Sequence, residues 1–586
     1  MSDVLRIANC SGFYGDRLSA AKEMVEGGPI DVLTGDYLAE LTMMILFKDR
    51  MKNPQGGFAR TFLRQMEEVL GTCLDRGIKV VVNAGGLNPA GLAGEVQNIA
   101  EKLGLKANVG WIEGDDLLPK LPEIQAKGHE LRHMDRDVPL SDLKATVVTA
   151  NAYLGCWGIV EALNRDADVV ICPRVTDAAL ALGPTAWKFG WGRDDWDLLA
   201  AGVVAGHIIE CGAQCTGGNY SFFQEVPTFA NIGFPIAEMH ADGSFVITKH
   251  PGTGGRVSVG TITAQLLYEI QGLRYYNPDV VTRFDSIRLA SDGEDRVRVY
   301  GIQGEPAPET TKVCINYLGG HRNTMTFVIA GLDIEEKAQL AEQTIWSLLG
   351  GKEQFAETST QLVRSDRVDP GSNDDAFAYL RVSVKDPDAK KVGRAFSNKA
   401  VEMALASYPG FFLTSPPSDA TPYGVYWPAL VPSDLIEYTV KVCGESIAIK
   451  PGHPEPVAPP HVRLPEIPQP PVGPTVRAPL GRICGARSGD KGGNANVGLW
   501  TRDAESFAWM REYLTVERFR DLIPDAAALK VDRFELPNLL SLNFVVYGLL
   551  GDGVAASTRS DPQAKSFGEY VRAKLVDVPT ILLERQ

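Results

Sequence analysis

The feature that most constrains the fold of this chain is a proline-rich segment near its C-terminal end. Residues 451–479 contain 11 prolines, as in Pro468-Gln469-Pro470-Pro471. Proline lacks a backbone N–H and has a fixed φ, so a segment this rich in proline forms an extended spacer that cannot lie inside a sheet. We therefore predict a linker over 451–479, with a large N-terminal part before it and a small C-terminal domain after it.

Length and composition narrow the class of protein. A chain of 586 residues is too long for one compact core, so we expect two or three domains. No apolar run approaches the roughly 20 residues that span a bilayer, so we expect a soluble protein without a membrane partner. With 58 Lys and Arg against 73 Asp and Glu, the net charge of -15 argues against nucleic acid as a partner.

The start of the sequence has no basic stretch followed by an apolar run, so we expect no secretory signal. The nine cysteines are scattered through the chain without a repeated spacing. Together these observations predict a cytoplasmic protein with reduced thiols.

Residues 1–200 repeat a short β-branched run, a glycine-rich loop and a helical stretch. This pattern predicts βα units on a mostly parallel, Rossmann-like sheet. The predicted strands are Val4–Ala8, Ile30–Thr34, Lys79–Asn83, Asn108–Ile112, Ala145–Thr149 and Asp168–Cys172.

The alternation loosens over residues 201–450, where we expect an α+β layer whose topology stays open. Strands are predicted at 286–289, 312–317 and 325–330, and helices at 261–269, 334–349 and 390–406. Residues 480–586 have the length and the strand and helix order of a small ferredoxin-like α/β sandwich. The fold class is therefore α/β with this C-terminal addition.

The carboxyl ends of parallel strands lie along one edge of a sheet, and ligands bind there. We therefore expect the loops of the first 200 residues to converge. Asp36 and Asp177 are the candidate acid/base groups, since a carboxylate at such an edge can be partly desolvated. Asn83 and Asn151 carry amides suited to polarising a carbonyl oxygen. The alternative for each residue is a turn or a helix cap.

The same loops supply candidate substrate contacts. Two arginines could hold a carboxylate or phosphate through paired hydrogen bonds, unless they form structural ion pairs with neighbouring acids. The predicted substrate-binding residues are Asp16, Arg17, Gly85, Gly86, Arg174, Thr176, Glu210, Gln214, Gly217 and Gly218.

Two glycine-rich stretches are candidate anion sites. The first precedes a predicted helix, where loop amides can bind an anion, although a plain connector fits equally. The second, 486–496, is predicted as a loop between two strands with cations and neutral donors, or as an elaborate turn. The predicted anion-binding residues are Gly254, Gly255, Arg256, Arg487, Ser488, Asp490, Lys491 and Asn494.

Cysteine and histidine suggest two weaker sites. Cys156 lies at a predicted helix start, which lowers a thiol pKa, but its sequence context does not fit a thiol protease. His207, Cys211 and Cys215 are spaced by four residues, so a zinc site is conceivable. Because no second ligand pair has finger spacing, we predict no metal and a loop that lines the same crevice.

Several motifs together resemble a known family. They include Gly35-Asp36-Tyr37-Leu38-Ala39-Glu40, Asn83-Ala84-Gly85-Gly86, Arg174-Val175-Thr176-Asp177 and, in the C-terminal part, Ala486-Arg487-Ser488-Gly489-Asp490-Lys491-Gly492. In these motifs the chain is similar to the acyclic terpene utilization proteins (AtuA-like), including their ferredoxin-fold domain. The resemblance implies a role in the breakdown of branched isoprenoids and no agreed reaction.

The resemblance implies a branched acyl-CoA thioester as the substrate, and together with the candidate residues it leads us to expect an enzyme that adds water to this thioester or removes it. Amide donors would stabilise an enolate-like oxygen while Asp36 or Asp177 moves the proton, and the anion-binding residues would hold the CoA. We expect no cofactor besides the CoA of the substrate, and a homo-oligomer. The alternative is a non-catalytic binding or scaffold subunit of an acyl-CoA carboxylase or hydratase complex.

Overall fold

The computed structural model describes residues 4–450, 452 and 458–584. They form two compact units. The second unit comprises Tyr317–Val425 and Ala555–Ser560, and the first comprises the rest of the described chain. Among the described helices, none combines the length and apolarity needed to cross a bilayer. Residues 451 and 453–457 of the predicted linker lie outside the described residues.

Strands and helices alternate along most of the chain. The strands are β1 (Val4–Asn9), β2 (Val32–Gly35), β3 (Lys79–Val82), β4 (Val109–Glu113), β5 (Val147–Ala152), β6 (Val169–Ile171), β7 (Pro235–His240), β8 (Phe245–Lys249), β9 (Arg274–Tyr276), β10 (Val281–Arg283), β11 (Arg288–Ser291), β12 (Val297–Tyr300), β13 (Gln303–Glu305), β14 (Thr310–Ala330), β15 (Glu357–Arg364), β16 (Phe377–Asp386), β17 (Phe412–Leu413), β18 (Thr421–Pro432), β19 (Tyr438–Val442), β20 (Glu445–Ile449), β21 (Thr475–Pro479), β22 (Cys484–Lys491), β23 (Asn494–Thr501), β24 (Val531–Leu536), β25 (Ser541–Val546) and β26 (Leu575–Pro579). The helices are α1 (Ala20–Glu26), α2 (Glu40–Lys52), α3 (Arg60–Arg76), α4 (Pro89–Lys102), α5 (Leu121–Ala126), α6 (Trp157–Asn164), α7 (Ala179–Phe189), α8 (Trp196–Ile209), α9 (Val259–Leu266), α10 (Ile334–Leu348), α11 (Ala389–Val392), α12 (Arg394–Glu402), α13 (Ala504–Tyr513), α14 (Val516–Leu522), α15 (Phe567–Arg572) and α16 (Thr580–Leu583).

The main sheet of the first unit has eleven strands in the order β11-β12-β8-β7-β1-β2-β3-β6-β4-β19-β20. Only its centre, β1-β2-β3-β6-β4, is parallel, and the flanking strands pair antiparallel. The predicted mostly parallel, Rossmann-like sheet is therefore not confirmed, because the sheet is mixed. An apolar run predicts a buried strand but does not specify the direction of its neighbour.

The predicted strand at Ala145–Thr149 is present as β5, but it pairs with β14 instead of joining the main sheet. The predicted strands at 312–317 and 325–330 are parts of the single strand β14. In the second unit, β15, β16, β14 and β17 form an antiparallel sheet. The predicted helix at 390–406 is divided at Gly393 into α11 and α12.

The C-terminal part contains an antiparallel sheet in the order β22-β23-β25-β24. Strand β22 covers most of the predicted glycine-rich loop, and a tight turn at Gly492 and Gly493 leads to β23. The loop prediction was therefore wrong over Arg487–Lys491: glycine and polar residues suggested a turn, but the backbone pairs with β23. The last residues of the proline-rich segment, β21, pair with β26 as an isolated two-stranded ladder.

The hydrophobic core packed against the parallel strands fixes the strand ends that carry the candidate site. Helix α3 buries Phe62, Met66, Val69 and Leu70, spaced at three and four residues, against the sheet. Helix α4 packs into the same core, and its first turn is capped by Asn88, whose side chain accepts the Gly91 N–H. Burial on this face fixes the register of β1, β2, β3 and β6, so their carboxyl ends meet at one edge.

Candidate active site

Two predicted residues meet at the carboxyl ends of adjacent strands. Asp36 follows β2 and Asn83 follows β3, and both are buried. The Asn83 Nδ2 donates to Asp36 Oδ1 at 2.5 Å, and the Asn83 Oδ1 accepts the N–H of Tyr37 at 2.7 Å. Asn83 thus fixes both the carboxyl and the backbone of the β2 loop.

Arg174 lies at the centre of this edge, just after β6, and its side chain is 3% exposed. Its guanidinium lies 3.1 Å from the carboxylate of Asp177 and 4.4 Å above the ring of Tyr153. Within the described residues, the Nε and Nη1 of Arg174 have no hydrogen-bond partner. Buried donors are nearly always satisfied, so this cation is suited to hold oxygen atoms of a bound molecule.

Three acids crowd around this arginine. Burial raises the pKa of Asp36 well above its usual range, and the charge of Asp177 raises it further. The pKa of Asp177 is also raised by burial, against the opposing effect of Arg174. Burial and the nearby Asp177 likewise raise the pKa of Glu210 well above its usual range. The three acids therefore ionise less readily than exposed carboxyl groups, since each negative charge opposes the ionisation of its neighbours.

Glu40 and Lys312 complete the site, and sequence reasoning missed both. The hydroxyl of Tyr153 donates to Glu40 Oε1 at 2.6 Å, and the Lys312 Nζ lies 3.7 Å from the same oxygen. Burial raises the pKa of Glu40, but Lys312, Arg174 and the hydroxyl outweigh it and lower the pKa to about 2. A carboxyl group with a lowered pKa therefore lies beside acids whose pKa values are raised.

Asn151 is hydrogen-bonded to an acid of the chain, and its predicted role at a carbonyl oxygen stays a prediction. It lies at the end of β5, and its Nδ2 donates to Asp115 Oδ2 at 2.7 Å. The same carboxylate oxygen accepts the backbone N–H of Arg174 at 3.2 Å. Burial raises the pKa of Asp115 to about 7, although both hydrogen bonds lower it. The amide of Asn151 thus orients the segment that carries Arg174.

The C-terminal sheet brings a second set of charges to the site. Lys565 contacts the hydroxyl of Tyr268, and its Nζ lies 3.5 Å from Glu269 and 4.0 Å from Asp490. Burial and the charge of Glu269 raise the pKa of Asp490 to about 8, and Glu40 contributes to the same shift. Strand β22 and the residues after α9 therefore face the N-terminal acids.

Close packing at β22 accounts for a glycine in this strand. A Cβ atom on Gly489 would lie 2.6 Å from the Tyr268 ring and 2.9 Å from the Glu269 side chain. Arg487 stacks 4.4 Å above the same tyrosine ring. Lys491 Nζ lies 6.0 Å from the Tyr275 ring, and its charge acts on Asp177 and Glu210.

Two of the predicted anion-binding residues form hydrogen bonds within the protein, Ser488 inside the C-terminal domain and Asn494 to the N-terminal part. The Oγ of Ser488 donates to Ala564 O at 2.6 Å and accepts the Gly568 N–H. The Nδ2 of Asn494 donates to Asp135 at 2.8 Å. These bonds engage the polar groups of both side chains, and their predicted role with an anion stays a prediction.

The glycine loop before α9 uses its donors internally. The N–H groups of Gly254 and Gly255 donate to the carbonyls of Asn231 and Thr228 at 2.8 and 2.9 Å. The guanidinium of Arg256 donates to the carbonyl of Glu225 at 3.0 Å. The amide groups expected to bind an anion are therefore satisfied by carbonyl oxygens of the chain itself.

The remaining predicted contacts have mainly local partners. The carboxylate of Asp16 accepts the N–H groups of Gly12 and Arg17, at 2.8 and 2.7 Å. The guanidinium of Arg17 pairs with Glu23 at 2.7 Å and stacks on Phe234. The other predicted positions form turns and backbone contacts: Gly85, Gly86, Thr176, Gln214, Gly217 and Gly218. Their assignment as substrate contacts stays a prediction.

Neither of the weaker alternatives gains geometric support. Cys156 is buried, and burial together with Asp279 raises its pKa well above the usual range, which disfavours a thiolate. In residues 4–450, 452 and 458–584, no three His, Cys, Asp or Glu side chains are grouped so that they could hold one metal ion.

A small cavity opens beside Asp177. It has a volume of about 10 Å³, the size that holds one water molecule. Its polar lining comes from Asn9, Thr34, Asp177 and Glu210, and its apolar lining from α7 and α8. The cavity therefore adjoins two members of the acid cluster, Asp177 and Glu210.

Comparison with known proteins gives one family. Residues 5–442 match the sequence model described as acyclic terpene utilisation family protein AtuA, and residues 478–577 match the AtuA ferredoxin-like domain. The second match confirms the predicted ferredoxin-like C-terminal domain. No curated protein and no solved structure gave a significant match.

Proposed function

The chain belongs to the acyclic terpene utilisation family AtuA, and from this membership we propose that it is an enzyme of branched acyl-CoA catabolism. The reaction we propose is the addition of water to an enoyl-CoA thioester, or the reverse elimination. The active site is the cluster of charges around Arg174.

The observation that carries this proposal is the buried guanidinium of Arg174, which has unfilled donors and lies beside acids whose pKa values are shifted in opposite directions. Glu40 has a pKa of about 2, whereas burial raises the pKa of Asp36 and Asp177. A reaction that takes a proton from carbon and gives one to a leaving hydroxyl needs both a carboxylate and a protonated carboxyl group.

Elimination requires one proton transfer from carbon and one proton transfer to oxygen. In elimination, a carboxylate takes the proton next to the thioester carbonyl, and a protonated carboxyl gives its proton to the departing hydroxyl, which leaves as water. The Nε and Nη1 of Arg174 would hold the carbonyl oxygen as negative charge develops on it. Hydration is the same sequence reversed.

The different exposure of Asp36 and Asp177 distinguishes their roles in the proposed reaction. The side chain of Asp177 is 30% exposed, whereas Asp36 is buried behind it and bonded to Asn83. We assign the exchange of protons with substrate to Asp177. Asp36, which Asn83 holds in place, acts on the substrate only through its electrostatic interaction with Asp177.

Lysines at the rim are suited to the acidic end of CoA. Lys312 and Lys491 are part-exposed and Lys565 is exposed, and they come from β14, β22 and the segment before α15. They are better placed for this role than the glycine loop at 254–256, whose amide groups are already bonded to carbonyls.

The test uses the purified full-length chain and a panel of branched enoyl-CoA and 3-hydroxyacyl-CoA thioesters, followed by mass spectrometry. We expect the mass of one water to be gained or lost. Asp177→Asn should lower the rate by about 100-fold or more, whereas Asp194→Asn, at an exposed position, should retain it.

Asp36→Asn is the second variant, and it should also slow the reaction. Full rates in both Asp36→Asn and Asp177→Asn would contradict the assignment of this pair. No turnover of any thioester by the wild-type chain, with co-purification of a carboxylase or hydratase, would support a scaffold subunit instead.

A further inference from the structure

One buried acid of the site has no role in the proposed reaction. Glu210 follows α8 and its side chain is 9% exposed. Its Oε1 lies 3.3 Å from the Nδ1 of His207, which is on the preceding turn and is 1% exposed. Among the residues that the structure describes, nothing hydrogen-bonds to the Oε2 of Glu210.

The cavity beside Asp177 also borders the carboxyl group of Glu210. Glu210 and Asp177 both line it, together with Asn9 and Thr34. The side chain of Asn9 is held by the N–H of Ser11 and by the carbonyl of Glu210. A water molecule needs two to four polar partners in a buried site, and this cavity supplies them.

We propose that one water in this cavity connects Glu210 to Asp177, and that Glu210 returns to Asp177 the proton which Asp177 exchanges with the substrate. The proposal rests on the assignment of Asp177 as the proton-exchanging group. Glu210 is a positioning residue in this scheme, because it acts through Asp177.

The transfer conserves protons and charge. The Glu210 carboxyl gives its proton to the water oxygen, and the water gives one of its own protons to the Asp177 carboxylate. Glu210 becomes a carboxylate, Asp177 becomes a carboxylic acid, and the water is unchanged. His207 Nδ1, close to Oε1, is positioned to stabilise the carboxylate that forms.

The charges around Glu210 favour a stored proton at rest. Burial raises its pKa well above the usual range, and Asp177 and Glu269 raise it further, whereas Lys491 and Arg174 lower it. Burial lowers the pKa of His207 to about 4, so the imidazole is neutral near pH 7. The other titratable groups that act on or lie near this pair are Asp36, Cys211 and Tyr275.

Infrared spectroscopy of the full-length protein tests this relay without any substrate. A protonated carboxyl has a carbonyl stretch that disappears on ionisation. We expect such a band near pH 7 in wild type and in Asp194→Asn, and its loss in Glu210→Gln. In Asp177→Asn the band should titrate about one pH unit lower or more, since a neighbouring negative charge has been removed.

The proposal is overturned if no band depends on Glu210, or if its midpoint is the same in Asp177→Asn and Asp194→Asn. Should Glu210→Gln fail to fold, glutamate labelled with ¹³C at the side-chain carboxyl identifies the band in wild type and in Asp177→Asn. Because this titration needs no turnover, failure of the proposed reaction and failure of the relay are separate results.

Discussion

Two buried cations, one in each unit, differ in how their donors are used. In the second unit, Lys385 is 5% exposed, and its Nζ donates to both carboxylate oxygens of Glu357 at 2.9 Å. In the first unit, Arg174 is equally buried, but its Nε and Nη1 have no hydrogen-bond partner in the described chain. Burial alone therefore does not distinguish the two cations, whereas the unfilled donors of Arg174 leave it able to bind another molecule.

The largest effect that this comparison predicts is the loss of activity when Arg174 is replaced. Arg174→Gln should lower kcat/KM for the thioester substrate by about 100- to 1,000-fold, because the variant loses the charge that opposes the developing oxyanion. Steady-state kinetics measure this loss. Arg174→Lys is the matched control: it keeps the charge without the planar pair of donors, and should recover only part of the rate. Wild-type kinetics in Arg174→Gln would remove the arginine from the site.

The buried carboxyl group of Asp115 should make the stability of the protein depend on pH. Its pKa is about 7 in the folded protein against 3.8 ordinarily, so the folded state binds the extra proton. Its contribution to stability is therefore present at low pH and is lost as the pH rises from about 4 through about 7. Asn at this position mimics the neutral acid and can still accept from Asn151 and the N–H of Arg174.

At pH 8, Asp115→Asn should accordingly unfold with a free energy higher than wild type by up to about 4 kcal/mol, and at pH 4 the difference should vanish. Denaturant unfolding at several pH values measures it. A difference that stays constant across this range would show that Asp115 titrates normally.

Asn496 is a buried residue of the first unit whose polar side chain, like that of Lys385, has hydrogen-bond partners. Its Nδ2 donates to the carbonyl of Leu267 at 2.7 Å and to Asn543 at 2.9 Å, and its Oδ1 accepts the N–H of Glu269. Asn496→Ala should destabilise the protein by about 2 to 3 kcal/mol, since it leaves buried groups unpaired. Thermal unfolding measures this loss. An unchanged melting temperature, with weaker substrate binding, would instead indicate a ligand contact.

The sequence predicted part of this site for a clear physical reason. Asp36 and Asn83 directly follow β2 and β3, and Arg174 and Asp177 lie in the segment between β6 and α7, so the rule for strand ends applies to them. Glu210 was also predicted, although its partner His207 was considered only as a metal ligand.

Other parts of the site could not be read from the sequence. Lys312 belongs to the long strand β14, and nothing in its local sequence indicates that it lies beside Glu40. Asp490 and Lys491 were expected in an amide-lined loop, but glycines within a strand resemble a turn when only the sequence is known. The antiparallel flanks of the main sheet were missed because strand direction depends on distant segments, here 235–300 and 438–449.

The smallest expected effect belongs to Lys385, and it completes the comparison with Arg174. Because the side chain of Glu357 is 50% exposed, it remains solvated when its partner is removed. Lys385→Met keeps most of the apolar length of the side chain, and we expect it to lower the free energy of unfolding by about 1 kcal/mol or less. Turnover should be unchanged. A loss of activity as large as that of Arg174→Gln, in a variant that unfolds like wild type, would mean that hydrogen-bond satisfaction does not separate structural from functional charges in this protein.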